Sequence, residues 1–236
     1  MEPVIVGSCH AQEEEECILE VLALRDRTSQ VHQQLRKRIL DGALRPAESL
    51  TEVNLAAEFG VSRNTIKKAL LKLESENLVV IEENKRVQVR RFSVEEAVQF
   101  LEVRELLEGF VIRQSTPLLG RTDLDEMGGI LSQMQRCLQN LDLLEYSHHN
   151  WRFHDVVYRV CPNRPAVDMI MVIKNQLKRY NIRTVLIPGR GEESFEEHSR
   201  ILVALEQGNA DEAERLMRRH MANLREILQK HFELLL

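Results

Sequence analysis

Three histidines carry the strongest chemical signal in the chain. His154, His198 and His220 each fall on the apolar face of a different predicted helix. His154 shares its face with Trp151, Val157 and Tyr158, and Asn150 lies one turn before it. His198 lines up with Phe195, Ile201, Leu202 and Leu205, and His220 with Ala213, Leu216, Met217, Leu224 and Ile227. A single histidine among apolar neighbours is ordinarily a hydrogen-bonded core residue. Three on helices able to pack around one axis also suit a divalent metal, because neutral imidazoles are its usual nitrogen ligands and helical bundles gather ligands from facing helices. Ligand type favours zinc, with manganese or nickel as alternatives. A metal centre and a metal-free core of satisfied histidines both remain open. His148 and His149 read as surface residues, while His10, His32 and His231 carry no signal.

A second cluster of chemistry lies between Leu55 and Val80. Ile66, Ala69, Leu70 and Leu73 fall at helical spacing, leaving Arg63, Asn64, Thr65, Lys67, Lys68 and Lys72 on the other sides. A fork donor, an amide and cations at a helix N-terminus are what a groove-reading helix offers to base edges and phosphates. Taken alone, the pattern equally describes an amphipathic helix with a solvated face. The neighbours favour the first reading. A short helix, about Thr51 to Glu58, precedes it and stops at Gly60, and Ser62 is placed to cap the second. Leu78 to Ile81 and Val87 to Arg90 follow as short β-prone runs joined by a polar turn carrying Lys85 and Arg86. Helix, turn, helix and basic hairpin together predict a winged helix-turn-helix that binds DNA.

The elements that must position these groups divide the chain. Residues 1–28 read as an acidic arm with the run Glu13 to Glu16, residues 29–92 as the DNA-binding domain, and residues 93–236 as an all-α domain. Within 29–92, Val31, Leu35, Ile39 and Leu40 form a helical stripe ended by Gly42, and Leu44, Pro46 and Leu50 read as a connector. Ser93 and Glu96 make a capping box opening a long helix that ends before Pro117. Further helices are predicted at about 123–140, 142–160, 165–186, 192–207 and 210–235, with no alternating strand pattern beyond Val87–Arg90. The expected fold is mainly α: a winged helix-turn-helix domain followed by a helical bundle.

Composition agrees. The 236 residues are 43% hydrophobic and 29% charged, with a net charge of −5. That total hides a basic module, since residues 29–92 carry 12 basic and 8 acidic side chains. Local sign matters more than the sum for phosphate binding. No apolar run suits a membrane span and no secretory signal is expected, which predicts a cytoplasmic protein. The four cysteines lack paired spacing and read as reduced thiols.

These residues resemble a known family. The stretch SRNTIKKALLKLESENLV is similar to the recognition-helix signature of GntR-family transcription regulators, and the bundle looks like the FCD domain of that family's FadR-type branch. EVRELLEGFVI fits the first long FCD helix. NWRFH, the His198 stretch EEHSRIL and the His220 stretch RRHMANL fit its metal-binding positions. The resemblance implies a homodimer on a palindromic operator, with affinity set by a small organic acid bound beside a metal. It implies Asn150, His154, His198 and His220 as metal ligands, where the family's first ligand is typically Asp. Arg104 and Arg183 are candidates to clamp the acid. Lys67 replaces the usual Arg of the recognition helix, and Ala47 follows Pro46 where Gly is usual, a mild change. A metal-dependent hydrolase or oxygenase is the competing function, but it leaves the basic winged helix without a purpose. A dimeric regulator with purely structural histidines is another.

Overall fold

The computed structural model describes residues 27–82 and 86–235, apart from the side chains of 179–182, 233 and 235. The arm expected at 1–28 lies almost wholly outside the described residues, and so does Lys85. The chain forms two compact units that meet between Arg91 and Phe92.

In the first unit, residues 27–40 form α1. Its stripe of Val31, Leu35, Ile39 and Leu40 is buried, as the helical spacing requires. Helices α2 (Glu52–Phe59) and α3 (Arg63–Ser75) meet at Gly60, whose φ of 61° lets the chain reverse without a Cβ clash. The Thr51 side chain accepts from the Asn54 amide and Ser62 Oγ from the Thr65 amide, so each helix start is capped. Ile66, Ala69, Leu70 and Leu73 fill the core against Leu35. Glu76, just past α3, accepts from Arg36 Nε at 2.8 Å and lies 2.6 Å from His32 Nε2, which ties α3 back to α1. His32 therefore has a structural role that the sequence did not signal.

Strands β1 (Ser49–Leu50), β2 (Val79–Ile81) and β3 (Val87–Val89) make an antiparallel sheet in the order β1-β3-β2. Val79 pairs with Val89 and Ile81 with Val87, while Leu50 pairs with Val87 from the other edge. β1 corrects the sequence expectation of a plain connector. Two residues are too few to show alternation, and only pairing with β3 makes them a strand. The approach to β1 also changes the reading of Ala47. It adopts φ 63°, and its amide donates to Val89 O at 2.9 Å. A Cβ in the left-handed region costs about 1–2 kcal/mol, so this replacement of glycine is a strained one.

The second unit contains α4 (Val94–Ser115), α5 (Arg121–Gln139), α6 (Leu143–Val160), α7 (Arg164–Thr184), α8 (Arg190–Glu206) and α9 (Ala210–Leu235). The capping box at Ser93 and Glu96 is formed in both directions, at 3.1 and 3.0 Å. Asp142, Asn163 and Asn209 side chains accept amide bonds at the starts of α6, α7 and α9. α8 begins two residues earlier than its apolar pattern suggested, because Gly189 (φ 82°) turns the chain directly into it. Leu101, Ile112, Met127, Ile130 and Phe153 lie in one continuous core. At Gly109 a side chain of α9 lies against the bare backbone of α4: a Cβ built there would stand 2.5 Å from Arg218 Cγ. Among the described residues no helix is long and apolar enough to cross a membrane. Cys137 and Cys161 are free and buried.

Candidate metal centre and nucleic-acid interface

His154, His198 and His220 come together from α6, α8 and α9, each at most 3% exposed. One ring nitrogen from each lies within 4.8 Å of the others. His154 Nε2 and His198 Nε2 are 3.2 Å apart. Two nitrogens bound to one tetrahedral zinc, each about 2.0–2.1 Å from it, would sit about 3.4 Å apart, so this pair is already at ligand spacing.

The surroundings set the tautomers. His198 Nδ1 lies 2.6 Å from Ser194 O and donates to it, which leaves a lone pair on Nε2. His220 Nδ1 lies 2.5 Å from Glu197 Oε2 and donates in the same way. His154 Nδ1 has no hydrogen-bond partner but faces Glu108 Oε2 at 3.9 Å. Outer partners of this kind, carboxylate or backbone carbonyl, are what fix histidines as metal ligands. Burial is the main cause holding His154 and His198 well below the ordinary imidazole range, and it lowers His220 as well despite Glu197. All three are neutral near pH 7, as a metal requires.

Asn150 supplies an independent fit. It sits one turn before His154 on α6, and its Oδ1 is buried without a hydrogen-bond partner. An orphaned buried carbonyl costs about 1–3 kcal/mol, and an amide oxygen on the ligand side of the helix is a metal donor in kind.

Two charged networks flank the histidines. On one side the Arg104 guanidinium donates to Glu108 Oε1 at 2.9 Å, Tyr158 OH donates to the same oxygen at 2.7 Å, and Lys174 Nζ donates to Tyr158 OH at 3.3 Å. Arg104 and Glu108 are 3% and 1% exposed. Burial pushes the Lys174 ammonium down to about 7 and raises the Tyr158 phenol well above its usual value. On the other side Arg190 grips both oxygens of Glu197, at 3.1 and 2.8 Å, and Asn223 adds a third donor at 2.7 Å. Burial works against the Glu197 charge, but the bonds from His220 and Arg190 outweigh it and hold its carboxyl well below the usual range.

In the first unit, the face of α3 turned away from the core exposes Arg63, Asn64, Lys67, Lys68 and Lys72. The Arg63 side chain is 68% exposed and rests 3.4 Å from Glu52, a surface pair too weak to hold it. Arg86, beside β3, is exposed as well. Thr65 is different. It is 2% exposed, with its hydroxyl 2.9 Å from Ser62 Oγ, so it braces the first turn of α3 rather than facing outward.

The family model for bacterial regulatory proteins of the gntR family matches residues 27–89, and the FCD domain model matches residues 99–223. This chain belongs to the GntR family. It is a DNA-binding transcription regulator with an FCD domain, and not an enzyme. The gluconate operon transcriptional repressor of Bacillus licheniformis is 32% identical over 175 residues, covering 72% of this chain and 68% of that protein. The transcriptional repressor RspR of Escherichia coli is 21% identical over 201 residues, covering 85% and 88%. In fold, the chain is similar to E. coli McbR/YncC, with a TM-score of 0.70 at 22% identity, covering 87% of this chain and 98% of that one.

Within the regulator, the residues expected from the sequence are not all placed alike. The histidines converge, with Asn150 on the same helix as His154. Arg104 joins them closely enough to depress both His154 and His220. Arg183 lies in the last turn of α7 with its side chain exposed. His149 corrects the surface reading: it is only 9% exposed, because the helix turns it inward beside Tyr146 while His148 remains outside. Glu108, Lys174, Arg190 and Glu197 were missed. Glu108, Arg190 and Glu197 sit among other charged residues in sequence and Lys174 one turn before Lys178, and no spacing rule separates a buried charge from its solvated neighbours.

Proposed function

We propose that this regulator binds a palindromic operator as a homodimer and that a small organic acid, seated beside a divalent metal in the FCD domain, sets its operator affinity. It would act in the cytoplasm, where such DNA is found. The observation that carries the reading is the buried histidine triad, two of whose members have their lone pairs set by outer partners, with the orphaned Asn150 oxygen one turn before His154 on the same helix. His154, His198, His220 and Asn150 would hold the metal, zinc by ligand preference with manganese or nickel as alternatives. Bound there, the metal supplies a positive centre for a carboxylate. All its protein ligands are neutral, so the counter-charge has to come from the effector. Arg104 is the nearer candidate clamp and Arg183 the outer one. Any effect on DNA is limited by the effector's differential affinity for the two states of the protein.

On DNA, Arg63 and Asn64 would read base edges, while Lys67, Lys85 and Arg86 would contact phosphate or groove edges; Thr65 would serve by holding the helix start. A single winged helix offers too small an interface for operator specificity, which argues for two half-sites related by a dyad. Val103, Leu106 and Phe110 form an apolar stripe on α4, 51%, 57% and 39% exposed, and are the proposed dimer surface. Leu101, on the same helix and equally apolar, takes no part in that stripe, because it is fully buried in the domain's own core.

The test combines elemental analysis of untagged protein with retardation of an operator duplex. Wild type should carry stoichiometric metal, and an organic acid should change its operator affinity. Gluconate is the first acid to try, given the similar repressor of the Bacillus licheniformis gluconate operon. A His198→Ala/His220→Ala variant should lose both responses yet keep basal DNA binding. If wild type takes up no zinc, manganese or nickel, and none raises its melting temperature, the His154–His198 bond is simply a core contact and the metal reading fails.

A further inference from the structure

Lys174 is a charge the proposed site does not yet use. It lies on α7, 8% exposed, with Nζ 3.3 Å from Tyr158 OH, 4.8 Å from the Tyr158 ring centre and 5.4 Å from that of Trp151. No carboxylate among the described residues forms an ion pair with it. Glu108, the acid in this part of the core, is already occupied on Oε1 by Arg104 and Tyr158, and its Oε2 faces His154. Glu197 is saturated by Arg190, His220 and Asn223. A buried ammonium whose one hydrogen-bond partner is a phenol, with the Arg104 cation also near, is costly. Aromatic faces recover part of that cost by cation–π attraction, but they leave the positive charge uncancelled. Arg104 balances Glu108 and Arg190 balances Glu197; Glu108 and Asp155 favour the Lys174 charge from farther away, but neither is in ion-pair contact with it.

An anionic ligand would supply the ion pair that the protein itself does not. We infer that Lys174 anchors a second anionic group of the effector, so that the FCD ligand is a small diacid: one acid group at the histidines, the other at Lys174 beside Tyr158. The inference rests on the organic-acid reading and narrows it to a charge class. The second group is a carboxylate or a phosphate, which share the oxygens that an ammonium and a phenol recognise.

Trp151 makes this measurable. It is the one tryptophan of the chain, it is 44% exposed, and its ring stands 5.4 Å from Nζ, so its fluorescence reports on the Lys174 end of the site. Zinc-supplemented full-length protein is titrated with acetate and glycolate, which carry one acid group. Parallel titrations use malonate and succinate, with two carboxylates, and phosphoglycolate, with a carboxylate and a phosphate. In wild type at least one two-acid probe should bind about tenfold or more tightly than the one-acid probes, the worth of one charge-assisted hydrogen bond. Whether a dicarboxylate or phosphoglycolate gains more identifies the second group. Lys174→Met should erase the preference, bringing the two-acid probes to the affinity of the one-acid probes, and Lys174→Arg should keep part of it. Melting without ligand separates this from a structural role: Lys174→Met should melt at or above wild type, since it removes an unpaired buried charge. Equal affinity for both classes in wild type, a preference that survives in Lys174→Met, or a ligand-free Lys174→Met that melts several degrees low with unchanged binding would each overturn the inference. Where one-acid probes bind and the second group adds nothing, only this inference falls. Where no acid of either class binds, the organic-acid reading falls with it.

Discussion

Glu197 connects two things that are ordinarily tested apart, the stability of the fold and the readiness of His220 to hold a metal. Its Oε2 accepts from His220 Nδ1 and Arg190 Nη2, and its Oε1 accepts from Arg190 Nη1 and Asn223 Nδ2. Glu197→Gln keeps the shape but replaces one acceptor oxygen with an NH₂ group, which must then face one of these donors. The Arg190 charge, 4% exposed, loses its counter-ion at the same time. Removing one partner of a buried pair costs about 3–5 kcal/mol, and the 14% exposure of Glu197 argues for the lower end. At about 2–4 °C per kcal/mol for a chain of this length, the ligand-free protein should melt roughly 6–12 °C lower. His220 would also lose the acceptor that fixes its tautomer, and outer-partner losses of this sort weaken metal binding by about 10–100-fold. Calorimetry in a chelator gives the first number, and zinc competition against a chromophoric chelator gives the second. A variant that melts within about 2 °C of wild type and binds zinc equally well would refute the account of this network.

Ala47→Gly should stabilise the first unit by about 1 kcal/mol, read by urea denaturation, because φ 63° is free of steric cost only without a Cβ; no gain would mean the strain is relieved locally. Lys174 predicts a pH dependence: with a folded value of about 7 against an ordinary 10.5, the unfolded chain holds the extra proton between those limits, so stability rises with pH across that window by about 1.4 kcal/mol per unit. Lys174→Met should lack this slope, and urea midpoints for the two proteins that run parallel over the window would contradict the buried-ammonium argument. Leu106→Lys should shift the protein toward single chains in light scattering and weaken operator binding, whereas an unchanged mass would move the dimer surface elsewhere. Arg63→Ala should cost roughly 1–3 kcal/mol on the operator and relax its sequence preference, and full affinity would remove α3 from the groove.

What could be read in the sequence follows from how much of each signal is local. Ser62 and Ser93 announce their helices because a cap is a contact between residues three apart. The histidines could be picked out because each interrupts an apolar stripe of its own helix. β1 was hidden because its partner, β3, lies far along the chain and two residues carry no period. Lys174 was hidden for a related reason: with Lys178 one turn on, it reads as a solvated face, and only the packing of α7 against Tyr158 buries it. Leu101, Leu106 and Phe110 look alike in sequence, but their positions around α4 send the first into the core and the others outward. The cost at Ala47 depended on a φ angle that composition does not encode.

Gly109 gives the FCD domain a mechanical property. One turn of α4 carries Glu108 and Gly109, and the stem of Arg218 on α9 lies where a Cβ at 109 would be, with Cγ at 2.5 Å and Cδ at 2.9 Å. His220 follows two residues later on that same helix. The two helices therefore pack closely at the level of the site, with the half-exposed Arg218 side chain lying over the bare backbone of Gly109. Groups more than a hundred positions apart in sequence, Arg104 and Glu108 on one helix and His220 on the other, are thereby carried on one closely packed helix pair. A methyl group at 109 would act as a wedge. Arg218 would have to swing aside or the two helices part slightly, and a shift of the helices would show up as a changed response to ligand before any loss of helix.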